Sequence, residues 1–326
     1  MHTLRFQPIF RRYLWGGRRL ATELGRPIGD GDDYAESWEI VDHGVDQSTV
    51  LAGPLAGRTL HELVERHGAD LFGQHHPQQQ FPLLFKFLDA QRNLSLQVHP
   101  NDELARRLDP SDLGKTEAWV ILDRRPGSKI YAGLKWGFDR PALEREIARD
   151  TVELCLHAFE PEIGDCVLLP AGTIHAIGEG LLVAEIQQAS DTTYRVYDWN
   201  RLGPDGKLRE LHIDAALEAI DFDQGPISAQ MARPGDAPHI QNLVSCDKFV
   251  LDRWQLDGPQ SVGGDNRFHI FSVLEGAVAV ADDPTAQPLG KGETALLPAV
   301  LGRVEIVPQD QAILLDIYLP AVPAES

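Results

Sequence analysis

Cysteine is scarce. The 326 residues hold three, Cys155, Cys166 and Cys246. So few exclude a disulfide framework. Cys155 and Cys166 lie in apolar, strand-like runs and read as buried thiols. Basic residues are also short: 30 Lys and Arg against 49 Asp and Glu leave a formal charge of −19. Such a surface repels nucleic acid and anionic lipid over most of its area. A pocket can still differ in sign from the whole, so a small anionic substrate stays open. No apolar run reaches the roughly 18 residues of a membrane helix. The opening MHTLRFQPIFRRYLWGG has neither the apolar stretch nor the small-residue cleavage site of a secretory signal, and a cytoplasmic protein is expected.

Apolar residues make up 43% of the chain, enough for one large or two ordinary cores. Thr59 with Glu62 forms a capping box, and Leu60, Leu63, Val64 and Leu71 share a helical face, which predicts a helix there. FPLLFKFLDAQRNLSLQVHP predicts two strands around Asp89-Ala90, stopped by Pro100. EAWVILD predicts another. DRPALEREIARD predicts a short helix with Pro141 in its first turn. TVELCLHAFEPEIGDCVLLP returns to strands, and LGPDGKLRELHIDAALEAI gives a turn and a short helix. DQGPISAQMARPGDAPH reads as a linker, followed by short strands between Gly and Pro turns. GDCVLLPAGTIH and GETALLPAVLGR echo each other. The fold class is mainly β, with two related barrels. The second lacks a histidine after its turn.

Ser95, Gln97 and His99 alternate along one strand and share a polar face, while Leu94, Leu96 and Val98 share the other. Glu117 opens a strand, and His175 ends the turn that begins at Pro170. Two imidazoles and a carboxylate at strand ends suit zinc or another first-row divalent ion with open positions for substrate. Gln97 adds a weaker oxygen ligand. The bland reading makes both histidines ordinary rim residues. Lys115 precedes Glu117 by two and shares its face. Lys86 sits in an apolar run and either snorkels outward or faces a polar cavity. Arg195, amid Thr193, Tyr194, Val196 and Tyr197, either binds an anion, stabilises charge developing on oxygen or bridges to Asp191. Arg11, Arg12, Arg18 and Arg19 flank YLWGG, which either approaches a phosphate or sugar or packs as an edge segment through Trp15.

Gln97-Val98-His99-Pro100, Lys115-Thr116-Glu117-Ala118-Trp119 and the Pro170-to-His175 turn closely resemble type I mannose-6-phosphate isomerases, in the short bacterial form. YLWGG, ESWEI, FPLLFKFLDA, LSLQVHPND and DTTYRVYDW fit that family in order, over essentially the whole chain. The resemblance implies two cupin-type jelly-roll barrels with a small helical insertion. Residues 1–232 would be the catalytic cupin domain, and 233–326 a degenerate barrel without a metal site. It implies one Zn²⁺ per chain near Gln97, His99, Glu117 and His175. Arg195 would be the active-site arginine, with Lys115 beside it in catalysis. Ser95 and Lys115 would lie near the substrate phosphate, and Lys86 and Asp191 would be further active-site positions. The reaction would interconvert mannose 6-phosphate and fructose 6-phosphate through a cis-enediolate. The chain departs from the wider cupin pattern at Gly178, where asparagine is common. Its partner would be a sugar phosphate, with no nucleic acid and no membrane, in a monomer or homodimer. An iron-dependent cupin oxygenase and a non-catalytic sugar-phosphate binder are the competing readings.

Overall fold

The computed structural model describes residues 1–110, 112–203 and 206–322. The turn expected at Pro204-Asp205 and the last four residues of the 233–326 segment lie outside them. Two antiparallel sheets form the N-terminal unit. One has five strands in the order Leu156–Phe159, Ile130–Leu134, His175–Ile177, Leu96–Val98 and Tyr194–Tyr197. The other has six: Cys166–Leu169, Glu117–Arg124, Leu181–Gln188, Leu83–Ala90, Tyr34–Ile40 and Ile9–Gly17. A second pair, of six and four strands, is built from residues between Arg233 and Tyr318. In each unit the two sheets face each other as a sandwich, and their ladders stay open among the described residues.

Strand parity explains the layering. On the six-stranded sheet of the first unit, Leu88, Ala90, Trp119, Ile121 and Val183 point inward and meet Ile130, Ala132 and Ile177 of the facing sheet. Phe85, Phe87, Val120, Ala184 and Ile186 point outward. They share a second core with Leu251, Ile270, Leu315 and Ile317 of the C-terminal unit. The Leu83–Ala90 strand is therefore buried at every position. Truncating one of its two phenylalanines to alanine costs roughly 3–5 kcal/mol. The Leu60–Phe72 helix enters the same inter-sandwich core through Leu60, Leu63, Val64 and Leu71. Its capping box is formed: Thr59 Oγ1 accepts from the Glu62 N–H at 3.2 Å, and a Glu62 carboxylate oxygen accepts from the Thr59 N–H at 3.0 Å.

Two local expectations change. Asp89 and Ala90 do not break the chain; they complete the Leu83–Ala90 strand, and Gln91 starts the turn. Cys155 is buried, yet it closes a 3-10 turn, Val152–Cys155, rather than lying in a strand. The internal echo is structural. Cys166–Leu169 and Thr294–Leu297 are each the end strand of a six-stranded sheet. Leu169 pairs with Glu117 in the first, and Leu297 pairs with His269 in the second. Among the described residues no helix is long and apolar enough to cross a membrane.

Candidate metal centre

One end of the first sandwich is filled by polar groups. The turn after Leu169 explains how His175 reaches it. Gly172 sits at φ +91°, a left-handed conformation that favours glycine, and its N–H donates to the carbonyl of His99 at 2.9 Å. Thr173 closes the turn back onto the Pro170 carbonyl. The turn thus ties the His175 segment to the His99 segment. Gly178 answers a different need. A Cβ there would lie 2.2 Å from the Lys129 carbonyl, so the asparagine common at this position does not fit.

Gln97 lies directly opposite His175 on one side and Arg195 on the other, so all three point to one face. Across the sandwich, Glu117 opens its strand on the opposing sheet. Donor atoms of His99, Glu117 and His175 all lie within 4.8 Å of one another, and all three residues are buried. Glu117 Oε2 is 3.5 Å from His99 Nε2, and Oε1 is 3.2 Å from His175 Nε2.

The imidazoles are oriented from behind. His99 Nδ1 is 2.8 Å from the Thr192 carbonyl, and His175 Nδ1 is 2.8 Å from the Thr173 carbonyl. A carbonyl only accepts, so each Nδ1 carries the proton and each Nε2 presents its lone pair. Burial pushes the pKa of His99 well below the usual value, and Lys115 adds to the effect. Burial also lowers His175. Burial by itself would raise Glu117, but the charge of Lys115 and, where His175 is protonated at acid pH, that of His175 outweigh it and hold the carboxyl below its usual value. Two neutral imidazoles and a carboxylate are the protonation states that metal binding requires. Glu117 Oε1 is buried and has no hydrogen-bond partner. Lys115 Nζ, 3.2 Å from His99 Nε2, offsets part of the repulsion among these donors, while the lone pairs of His175 Nε2 and Glu117 Oε1 remain aimed at each other. The donor set therefore fits a divalent ion.

Gln97 lines the same point. Its amide nitrogen is 3.5 Å from His99 Nε2 and 3.4 Å from His175 Nε2. Exchanging amide O and N, which the hydrogen-bond network must decide, would turn an oxygen toward the same point as a fourth donor. Ser95 Oγ stands behind it, 3.4 Å from Gln97 Oε1.

A buried chain of alternating charge leads away from Glu117. Lys115 Nζ is 2.6 Å from Glu117 and 3.6 Å from Glu185. Lys86 Nζ is 3.2 Å from Glu185 and 3.6 Å from Glu36. Trp119 Nε1 donates to Glu185 at 3.0 Å. Lys86 therefore faces the cavity rather than snorkelling. Burial would lower its pKa, but Glu185 and Glu36 more than reverse that. Local patterns single out neither Glu185 nor Glu36, which lies inside ESWEI. The available signal was parity: Trp38, Lys86, Glu185 and Trp119 lie side by side across four strands, and Glu36 shares the Trp38 face.

Two stretches match known families: residues 3–117 the catalytic domain of type I phosphomannose isomerase, and residues 239–315 the cupin domain of mannose-6-phosphate isomerase. The chain is 38% identical over 302 residues to the mannose-6-phosphate isomerase ManA of Bacillus subtilis, covering 92% of this chain and 94% of that protein. The chain belongs to the type I mannose-6-phosphate isomerases. It is also 33% identical to a mannose-6-phosphate isomerase of Streptococcus mutans, over 92% of this chain and 97% of that one. The crystal structure of the mannose 6-phosphate isomerase from Bacillus subtilis superposes with a TM-score of 0.89 at 32% identity, covering 98% of this chain and all of that one.

The rim of this isomerase is rich in arginine. Arg195 Nη1 donates to the Glu210 carbonyl at 2.8 Å, while its buried Nε has no partner. Among the described residues no ion pair joins it to Asp191, which is exposed. Burial and the charge of Arg209 lower the Arg195 pKa. Arg201 and Arg209 both approach the single carboxylate of Asp198. A cavity of about 570 Å³ adjoins them, lined by Tyr13, Trp15, Arg201, Arg209 and Glu210 among others. Of the N-terminal arginines, only Arg12, on the Ile9–Gly17 strand, lines this cavity, and it pairs with Asp33 at 2.6 Å. Arg11 pairs with Asp46, Arg18 donates to the Gly29 and Gly31 carbonyls, and Arg19 is held by Asp89 and the carbonyls of Gly180 and Leu181. Trp15 is buried, as the packing alternative expected.

Proposed function

We propose that this chain is a zinc-dependent aldose–ketose isomerase that interconverts D-mannose 6-phosphate and D-fructose 6-phosphate through a cis-enediolate. The observation that carries the reading is the convergence of two carbonyl-oriented imidazoles and a carboxylate with one unpartnered oxygen in a member of this family. His99, Glu117 and His175 would hold the ion, with Gln97 as a fourth ligand. When bound, zinc supplies Lewis-acid stabilisation for negative charge on the two sugar oxygens.

The remaining steps belong to side chains. Arg195 stabilises charge developing in the transition state, and its unpartnered Nε leaves a donor to spare. Lys115 acts with Arg195 in catalysis. Its place between Glu117 and Glu185 supports that role. Ser95, Lys86 and Asp191 bind substrate. Both nitrogens of His99 are committed in this reading, one to Thr192 and one to the ion, which leaves Lys115, Glu185, Asp191 or a bound water as the proton carrier. The arginine-rich rim supports an anionic substrate against the net charge of −19.

Residues 1–232 form the catalytic unit in this reading, and 233–326 a degenerate unit without metal. His269, which pairs with Leu297 as Glu117 pairs with Leu169, is engaged by Asp316 and Asp265 instead. The test is isotopic. Zinc-loaded protein in heavy water should form fructose 6-phosphate from mannose 6-phosphate and exchange the C2 proton with solvent. A folded, metal-loaded sample that does neither refutes the reading. Oxygen uptake by an iron-loaded sample would favour an oxygenase instead.

A further inference from the structure

We infer that the C-terminal sandwich positions the metal-ligand segment through Lys248 and Asp102, which makes both positioning residues for the isomerase. The inference rests on the metal-dependent reading above. Lys248 lies in the turn between the Ile240–Ser245 and Val250–Leu256 strands. Its ammonium is 2.7 Å from Asp102 Oδ2, across the boundary between the two units. Asp102 begins the Asp102–Leu108 helix, three residues after His99. A carboxylate at that helix end is also favoured by the helix dipole.

The other oxygen of Asp102 faces the site. Asp102 Oδ1 accepts from the Gly114 N–H at 2.9 Å and from Gln188 Nε2 at 2.9 Å. Gln188 passes the contact on, since its Oε1 accepts from the Thr116 N–H at 3.0 Å. The Lys115 N–H donates to the Pro100 carbonyl at 3.0 Å. Gly114, Lys115 and Thr116 are thus each held by their backbone N–H just before Glu117. Gly114 admits no side chain here, because a Cβ would lie 2.5 Å from the Asp102 nitrogen. One carboxylate therefore gathers the segment that presents Lys115 and Glu117, and a lysine from the other unit fixes how that carboxylate sits. A carboxylate shared among Lys248, Gly114 and Gln188 has little freedom to rotate. Without the lysine, Oδ2 turns to water and its grip on the loop loosens.

The substitutions separate the parts. Lys248→Met (K248M) keeps the aliphatic stem and removes the charge. Lys248→Arg (K248R) restores the pair. Asp102→Asn (D102N) keeps an oxygen for Gly114 and Gln188 and gives up the ion pair. Removing groups that support a metal ligand commonly costs 10–100-fold in metal affinity, and this relay acts one bond further out. The expected loss for K248M is about 3–10-fold in zinc affinity by chelator competition and a similar loss in kcat, with KM nearly constant. The visible spectrum of the cobalt(II) form should change. Amide exchange at Gly114 and Thr116 should quicken, and K248R should recover all of these. A K248M protein with native zinc affinity, native cobalt spectrum and native exchange at Gly114 and Thr116 overturns the inference. Lys248 is partly exposed, so K248M tests the relay even if D102N fails to fold. The amide-exchange arm needs neither metal nor turnover. An inactive wild-type protein would therefore refute the isomerase reading while exchange still decided the positioning role.

Discussion

Replacing His269 with glutamine tests what filled the second sandwich's counterpart of the metal site. His269 Nδ1 is 2.8 Å from Asp316, and Nε2 is 3.3 Å from Asp265. Asp265 is itself held by Arg267 at 2.6 Å, and the Asp265 carbonyl accepts from Gln74 of the N-terminal unit at 3.1 Å. Burial by itself would push the imidazolium pKa down. Asp316 and Asp265 outweigh burial and raise it to about 9. An unfolded histidine titrates near ~6.5. The folded value is the higher, so the charged pair contributes fully below about pH 6.5, and the contribution is lost as pH rises through about 9. The difference corresponds to roughly 3 kcal/mol of stability, to order of magnitude. H269Q should lower stability near pH 7 by that order, because Asp316 is left buried without its cation. Urea unfolding followed by circular dichroism from pH 7 to pH 10 checks the argument. Wild-type stability should fall toward the H269Q curve as pH rises, and the gap should close above pH 9. Parallel curves across that range would show that His269 carries no extra proton in the folded state and refute the reasoning.

Three further outcomes follow from the catalytic end. His175→Ala leaves two strong ligands, and zinc content per full-length chain should drop to near zero by elemental analysis. One ion retained in that variant would overturn the place of His175 in the ligand set. Arg195→Ala should cost roughly 10²–10³ in kcat with zinc content unchanged, because arginine is not a ligand; a rise in KM at constant kcat would assign it to ground-state binding instead. Efficiency on mannose 6-phosphate should exceed that on free mannose and fall with added salt, and equal efficiency on both sugars would remove the role given to the basic rim.

Much of this protein was legible in order along the chain. The Thr59–Glu62 capping box, the period-two alternation of Ser95, Gln97 and His99, and the repeated Leu-Leu-Pro-Ala turn are local patterns. Backbone geometry reads them within a few residues, and each predicted its element, although the strand spans only Leu96–Val98 and Ser95 and His99 flank it. Cys155 was misread because a short apolar run is compatible with either a strand or a tight turn. Family motifs then named candidate ligands one at a time.

What the sequence left open was pairing. Arg195 offered Asp191, an anion or a developing charge, and the fold supplied the Glu210 carbonyl and the neighbouring Arg201 and Arg209. Lys86 could have pointed either way until Glu185 and Glu36 were brought beside it. Lys248 carried no signal at all, being 146 residues from Asp102. Local periodicity tells each side chain which face it shares. Its partner across sheets is set by register and by the packing of one sandwich on another. Electrostatic and hydrogen-bond energies fall off over a few ångströms, so only the folded chain decides which charges meet.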